Sequence, residues 1–331
     1  MTKRILFIIL ILMLGISGCS TRYVATDSKV QTEEQPVDLD QLLLQVESSL
    51  FQRRLLRGNL YATHLAVSAS DVSHSDFSLQ DTTMSGGVFD VMASEVTFAH
   101  NLHERLYPAS TTKIVTAYVA LLHGNLSDVV TFDERAFNLR WDAARGGFAV
   151  GDQATLYDLL ICLMLSSSND AAIAIATHIA GSEEAFTELM NQELRALGAT
   201  NSHYVNSHGL HDPNQYTTVY DLYLVFYAAI QDPIFLDLLQ YASHEITLQR
   251  AEGPITLTFR PTSWYVDGRT QAPEGIRVFG GKTGTTRQAG RCLVLLVYDA
   301  QERPYVSMIM GAESADELYD TLNLMFEKVL R

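Results

Sequence analysis

Positive charge is what this chain is short of. Across 331 residues, 23 lysines and arginines face 38 aspartates and glutamates, for a formal net charge of −15. That balance disfavours a nucleic-acid partner, because binding phosphates needs a basic surface. An anionic substrate would need a local basic pocket, and Lys282 with Arg287 and Arg291 is the candidate. Cysteine is also scarce, at three residues. Cys162 and Cys292 sit in apolar runs and read as buried free thiols. The ten histidines show no metal-ligand spacing, and His208 and His211 read as loop residues, so neither a metal nor a cofactor is expected. The N-terminal apolar run, Ile5 to Ile16, falls short of the roughly 18–20 residues that span a bilayer.

That run follows Lys3 and Arg4, so residues 1–18 read as a signal peptide. It ends in Ile16-Ser17-Gly18-Cys19, which resembles the bacterial lipoprotein cleavage box. By that resemblance Cys19 becomes the lipidated first residue and anchors an exported protein to the outer face of the cell membrane. A plain secretory signal with an incidental cysteine is the alternative. Residues 19–60 then divide into a polar tether to Val37 and an outer helix over 38–56, where Leu39, Leu43, Val46 and Leu50 recur at helical spacing. The rest, 61–331, reads as one catalytic domain.

The chemistry concentrates in three short stretches. Tyr107-Pro108-Ala109-Ser110-Thr111-Thr112-Lys113 precedes an apolar helical run, Ile114 to Leu122. Proline is tolerated at a helix start, and Ser110 falls at the positive end of the helix dipole. Lys113, three residues on, shares its helical face. Serine at its free pKa is a weak nucleophile, and lysine activates it only when neutral, through burial or a second cation. Lys282, in Gly281-Lys282-Thr283-Gly284-Thr285, supplies that cation. Between them, Ser167-Ser168-Asn169 interrupts two buried helices, a costly place for polar groups unless they face a cavity with partners.

The remaining pattern is legible in outline. Residues 61–85 read as an edge strand plus loop, and Val88 to Phe98 as a hairpin. Thr155, Thr218 and Ser314 read as helix caps, Ser168 as a possible further one, and Gly124 as a helix end with positive φ. Ile246 to Phe259 reads as one or two strands. Ile276 to Phe279 leads into the Lys282 motif, and Arg291–Tyr298 pairs with Tyr305–Met310 as a hairpin. Strands at both ends with helices between them predict an α+β fold. One antiparallel sheet is built from both chain ends and flanked by helices, with an all-helical lobe.

Taken in order, Ser110-x-x-Lys113, Ser167-x-Asn169 and Lys282-Thr283-Gly284 resemble the active-site set of penicillin-binding proteins and serine β-lactamases. Asn101 to Lys113, Asn206-Ser207-His208-Gly209-Leu210 and Gln215 to Thr218 narrow the resemblance to serine-type D-alanyl-D-alanine carboxypeptidases. The resemblance implies Ser110 as acyl-forming nucleophile and Lys113 as its base. It implies Ser167 as proton relay to the leaving amine, and Asn169 as a holder of substrate backbone and Lys113. Lys282 would lower the pKa of Lys113 and, with Thr283 and Thr285, receive the substrate carboxylate. Gly284 would let the strand approach the substrate, and the N–H groups of Ser110 and Thr285 would form an oxyanion hole. The implied substrate is a peptidoglycan stem peptide ending in D-Ala-D-Ala, and β-lactams would acylate the same serine.

Two positions depart from the family. An arginine often follows the last strand, where this chain reads Gly311-Ala312-Glu313-Ser314, and Phe279 stands where an aspartate is common. Carboxylate binding then falls to Lys282 and the threonines, helped by Arg287 or Arg291. Three rivals stay open: a class A β-lactamase, a DD-endopeptidase, and a non-catalytic penicillin- or muropeptide-binding lipoprotein. The first needs a general-base glutamate in Glu-x-x-Leu-Asn, and the nearest string is Glu245-Ile246-Thr247-Leu248-Gln249.

Overall fold

The computed structural model describes residues 21–22 and 64–330. The expected signal peptide, Cys19 and the outer helix lie outside the described residues. The strands are β1 (Thr21–Arg22), β2 (Ser85–Asp90), β3 (Glu95–His100), β4 (Val129–Thr131), β5 (Gln153–Thr155), β6 (Tyr241–Arg250), β7 (Gly253–Phe259), β8 (Arg277–Thr286), β9 (Gly290–Tyr298) and β10 (Pro304–Ala312). The helices are α1 (Thr112–His123), α2 (Leu156–Leu165), α3 (Asn169–Ala180), α4 (Glu183–Ala196), α5 (Val219–Ala229), α6 (Pro233–Leu238), α7 (Trp264–Asp267) and α8 (Ala315–Val329).

Five strands form an antiparallel sheet in the order β3-β2-β10-β9-β8, so both ends of the domain meet in it, as the sequence predicts. Strand β9 shows why its sequence is almost wholly apolar. Successive side chains point to opposite faces. Cys292, Val294 and Leu296 join one core with the helices, while Leu293, Leu295 and Val297 join a second beneath α8. Both faces of the sheet are covered. Across the helical face, the Phe89 ring on β2 stacks on Tyr223 of α5 with centroids 4.0 Å apart.

Helix α1 runs through the helical lobe, with Ile114, Val115, Ala117, Val119 and Ala120 fully buried. It is apolar on nearly every side because α3, α4 and α5 surround it. Thr155, Thr218 and Ser314 each accept a backbone N–H three residues on, as predicted. Such caps are worth about 1 kcal/mol each. The hairpin β6–β7 pairs on its outer side with β1, and Arg250 at its tip meets Asp152 at 2.5 Å.

Three expectations are corrected. Residues 64–84 form no strand; Val72 makes only an isolated bridge to Ala99, because the Ser- and Asp-rich sequence bonds locally instead. Gly124 has φ −92°, so positive φ is not its reason; a Cβ there would lie 2.4 Å from the Leu156 side chain. Ser168 stands at the start of α3 without a capping bond, its hydroxyl being 2.7 Å from that of Ser166.

Candidate active site

Pro108 leads into a single 3₁₀ turn, Ala109–Thr111, that places Ser110 just before α1. The turn is closed by the Thr111 and Thr112 hydroxyls, which donate to the Pro108 and Ala109 carbonyls at 2.6 and 2.7 Å. Ala109 has φ +48° and Ser167 φ +62°. Non-glycine residues in that region cost on the order of 1 kcal/mol each, and they collect where the surroundings fix them.

Lys113 is wholly buried, and its Nζ lies 3.1 Å from Ser110 Oγ, 2.6 Å from Asn169 Oδ1 and 2.5 Å from the His208 carbonyl oxygen. Burial drives its pKa well below the ordinary lysine value; Lys282 adds to the fall, while buried Asp170 opposes it. Lys282, on β8, is 1 % exposed and donates to the Thr283 carbonyl at 3.0 Å. Burial lowers its pKa to about 7. Ser167, 8 % exposed, lies two residues from Asn169 on the turn between α2 and α3. Hydrogen bonds thus unite Ser110, Lys113 and Asn169. Lys282 joins them through its charge.

Among the described strands, β8 is the edge of the main sheet. A Cβ on Gly284 would sit 3.0–3.1 Å from the Thr111 and Ser110 nitrogens and the Pro108 oxygen. Gly284 thus permits a close approach of the strand to the serine turn. Thr283 Oγ1 lies 2.5 Å from Thr262 Oγ1, while Thr285 is exposed. Opposite Thr285 in register, Arg291 donates to its hydroxyl at 3.3 Å, and Arg291 also pairs with Ala312 on β10. Arg287 is exposed, with no such link to the motif. Glu245 lies exposed on β6, where Thr258 donates to it.

His208 reads as an ordinary loop residue in the sequence, yet its carbonyl is a partner of Lys113. Asp170 carries no signal in the sequence either, but its buried carboxylate accepts the Gly146 N–H at 2.9 Å and stands next to Asn169. Burial raises its pKa. Gln215 gathers the segment behind Lys113, accepting from the Val205 and Asn206 N–H groups and donating to the Thr112 hydroxyl.

The model of the D-alanyl-D-alanine carboxypeptidase family matches residues 80–314. D-alanyl-D-alanine carboxypeptidase DacC of Escherichia coli is 34% identical over 239 residues, covering 69% of this chain and 56% of that protein. The chain thus spans little more than half of DacC's length. A D-alanyl-D-alanine endopeptidase of Pseudomonas aeruginosa is 32% identical over 238 residues, 70% of this chain and 72% of that one. The crystal structure of the Streptomyces K15 DD-transpeptidase superposes with a TM-score of 0.68 at 23% identity, covering 74% of this chain and 95% of that one, and shares the fold. With the family model spanning most of the sequence, this chain belongs to the D-alanyl-D-alanine carboxypeptidase family.

Proposed function

We propose that the chain is a serine-type D-Ala-D-Ala carboxypeptidase that removes the terminal D-alanine of peptidoglycan stem peptides through an acyl-enzyme on Ser110. The observation that carries this reading is the setting of Lys113 Nζ. A neutral amine has two N–H donors and one lone pair. The Asn169 Oδ1 and His208 carbonyl oxygens can only accept, so they take the two donors. The lone pair is left facing the Ser110 hydroxyl at 3.1 Å. A buried, neutral amine so aimed can take the serine proton.

In the proposed reaction, Ser110 Oγ attacks the carbonyl carbon between the two D-alanines while its proton passes to Lys113. The oxyanion is held by the Ser110 and Thr285 N–H groups, an arrangement typically worth about 3 kcal/mol. Ser167 passes a proton to the leaving amine, the C–N bond breaks, and D-alanine departs. Water then attacks the ester and frees the shortened peptide. β8 is the sheet's edge among the described strands, which suits an extended peptide added as a further strand. Lys282, Thr283, Thr285 and, among the two candidate arginines, Arg291 receive the terminal carboxylate. Arg291 reaches Thr285 from β9 and lies in register with Ala312, so it brings a cation to the rim where the family's usual arginine is missing.

Cys19 is proposed as the lipid anchor of an exported protein, with 61–331 as its catalytic domain. Among the described residues no helix is long and apolar enough to cross a membrane. The likeness to the Pseudomonas endopeptidase supports a second reading, cleavage of D-Ala cross-links by the same acyl-enzyme. The deciding experiment uses the soluble chain from Ser20. D-alanine release from a pentapeptide ending in D-Ala-D-Ala is expected, together with a penicilloyl adduct that mass spectrometry maps to Ser110. Cleavage of cross-linked dimers without D-alanine release would favour the endopeptidase, and an adduct with no peptide cleaved would leave only a penicillin-binding protein.

The pH profile follows from Lys282. Its charge is needed for an anionic substrate, and it is lost as pH rises through about 7. The kcat/KM for peptide is therefore expected to fall above neutrality. Lys282→Arg, always charged, is expected to move that fall to higher pH. A profile that keeps its alkaline limb in the arginine variant would remove Lys282 from the carboxylate site.

A further inference from the structure

The His208 carbonyl is a backbone group, so its aim depends on what fixes the segment around it. Ser207 is fully buried, and both its donors go to one atom: Glu183 Oε1 accepts the Ser207 N–H at 2.9 Å and the Ser207 hydroxyl at 2.6 Å. His208 Nδ1 accepts the Leu210 N–H at 3.1 Å, which leaves the ring proton on Nε2, 3.6 Å from the same Glu183 oxygen. On the opposite side, the Ser207 carbonyl accepts from Thr116 Oγ1 at 2.6 Å, one turn along α1 from Lys113. Residues 207 and 208 are thus clamped between α1 and the first residue of α4, a helix that carries none of the proposed catalytic groups.

We propose that Glu183 is a positioning residue for the acylation step: it fixes the His208 carbonyl, and through it the direction in which Lys113 presents its lone pair to Ser110. The inference rests on the role of Lys113 proposed above. One carboxylate oxygen with two converging donors and a facing imidazole N–H is a strong tether, because charge-assisted bonds are about twice as strong as neutral ones. A glutamine oxygen could accept the same two donors without the charge. Alanine could accept neither.

The groups that set the charge around Lys113 are Lys282 from β8, Asp170 from α3 and the neutral His208 ring beside it. Without Glu183 the carbonyl is free to turn away, and the protonated amine loses more than the neutral one. The acid limb of acylation should therefore move to lower pH even as the rate falls.

The test measures the second-order rate of acylation by a fluorescent penicillin from pH 5 to 9. Four proteins are compared: the unmodified chain, Glu183→Ala, Glu183→Gln and Ser207→Ala. Glu183→Ala is expected to acylate at least about tenfold more slowly, since small misplacement of a reacting group costs one to two orders of magnitude. Its acid limb should shift downward, Ser207→Ala should lie between it and the unmodified chain, and Glu183→Gln should recover most of the rate. A purely structural role would lower the melting temperature alone. Unchanged rate and unchanged acid limb in folded Glu183→Ala would overturn the proposal. Should that variant not fold, Ser207→Ala decides it, and no change of rate or limb in that variant would overturn it. An unmodified chain that is not acylated at all would instead sink the reading of Lys113 itself.

Discussion

Lys113→Met is expected to reduce acylation of Ser110 by penicillin, and D-alanine release with it, by about 10³- to 10⁴-fold, the usual contribution of a positioned base at its upper end. Methionine fills a similar volume without a lone pair that can take a proton. Two opposing terms act on stability. Burying an uncharged chain removes the desolvation cost that lowers the lysine's pKa, while the Asn169 and His208 oxygens lose their donor, at about 1–3 kcal/mol each. Linkage separates the terms. A lysine whose folded pKa is depressed binds more protons unfolded than folded between that value and its ordinary one near 10.5. Wild-type stability should therefore gain from rising pH in that window, from about 7 upward for Lys282. The gain should shrink in Lys113→Met. Denaturant unfolding at pH 6 and pH 9 would show it, and an equal gain in both proteins would mean that Lys113 is charged in the folded state.

Gly209→Ala should damage both fold and reaction. Gly209 has φ +88°, and a Cβ there would fall 1.9 Å from the Ala109 carbonyl oxygen. Its neighbour His208 meets Lys113, and Ala109 precedes Ser110, so relief of the overlap must displace one of the two groups proposed to react. The left-handed conformation costs about 1–2 kcal/mol for alanine, and overpacking adds about 1–3 kcal/mol. A melting temperature lower by about 5–15 °C is expected for a domain of this size, with acylation slowed by about 100-fold. Gly198→Ala is the matched control: φ is +81°, and a Cβ would meet nothing within 4 Å. It should pay the conformational cost and keep its activity. Equal melting temperatures for the two variants would show that the serine turn yields without strain.

Side-chain chemistry made the site legible in the sequence. Ser110, Lys113, Asn169 and Lys282 carry distinctive groups at fixed offsets, and the α+β arrangement followed from where strands and helices fall along the chain. What stayed hidden was done by the backbone or by the absence of a side chain. The His208 carbonyl has no signature, since every residue owns one. That Gly284 also lets β8 lie against the serine turn is said by nothing in the sequence. Ser168 looked like a cap from its position, but its hydroxyl turned to Ser166. The choice between Arg287 and Arg291 is a matter of register, and only strand pairing places Arg291 beside Thr285.

The order of strands in the sheet also bears on when reactivity arises. Strand β10, near the end of the described chain, joins β2 to β9, so the N-terminal pair and the β8–β9 pair are not connected until it is in place. Pairing between segments so distant in sequence is slow to form. Ser110 and Lys113 leave the ribosome more than 160 residues ahead of Lys282, and until the helical lobe closes over Lys113 and β8 brings Lys282 up to it, neither burial nor that second charge lowers the basicity of the lysine. On the proposed mechanism, a chain still being made is thus a harmless one: Ser110 gains its base only when folding has buried Lys113.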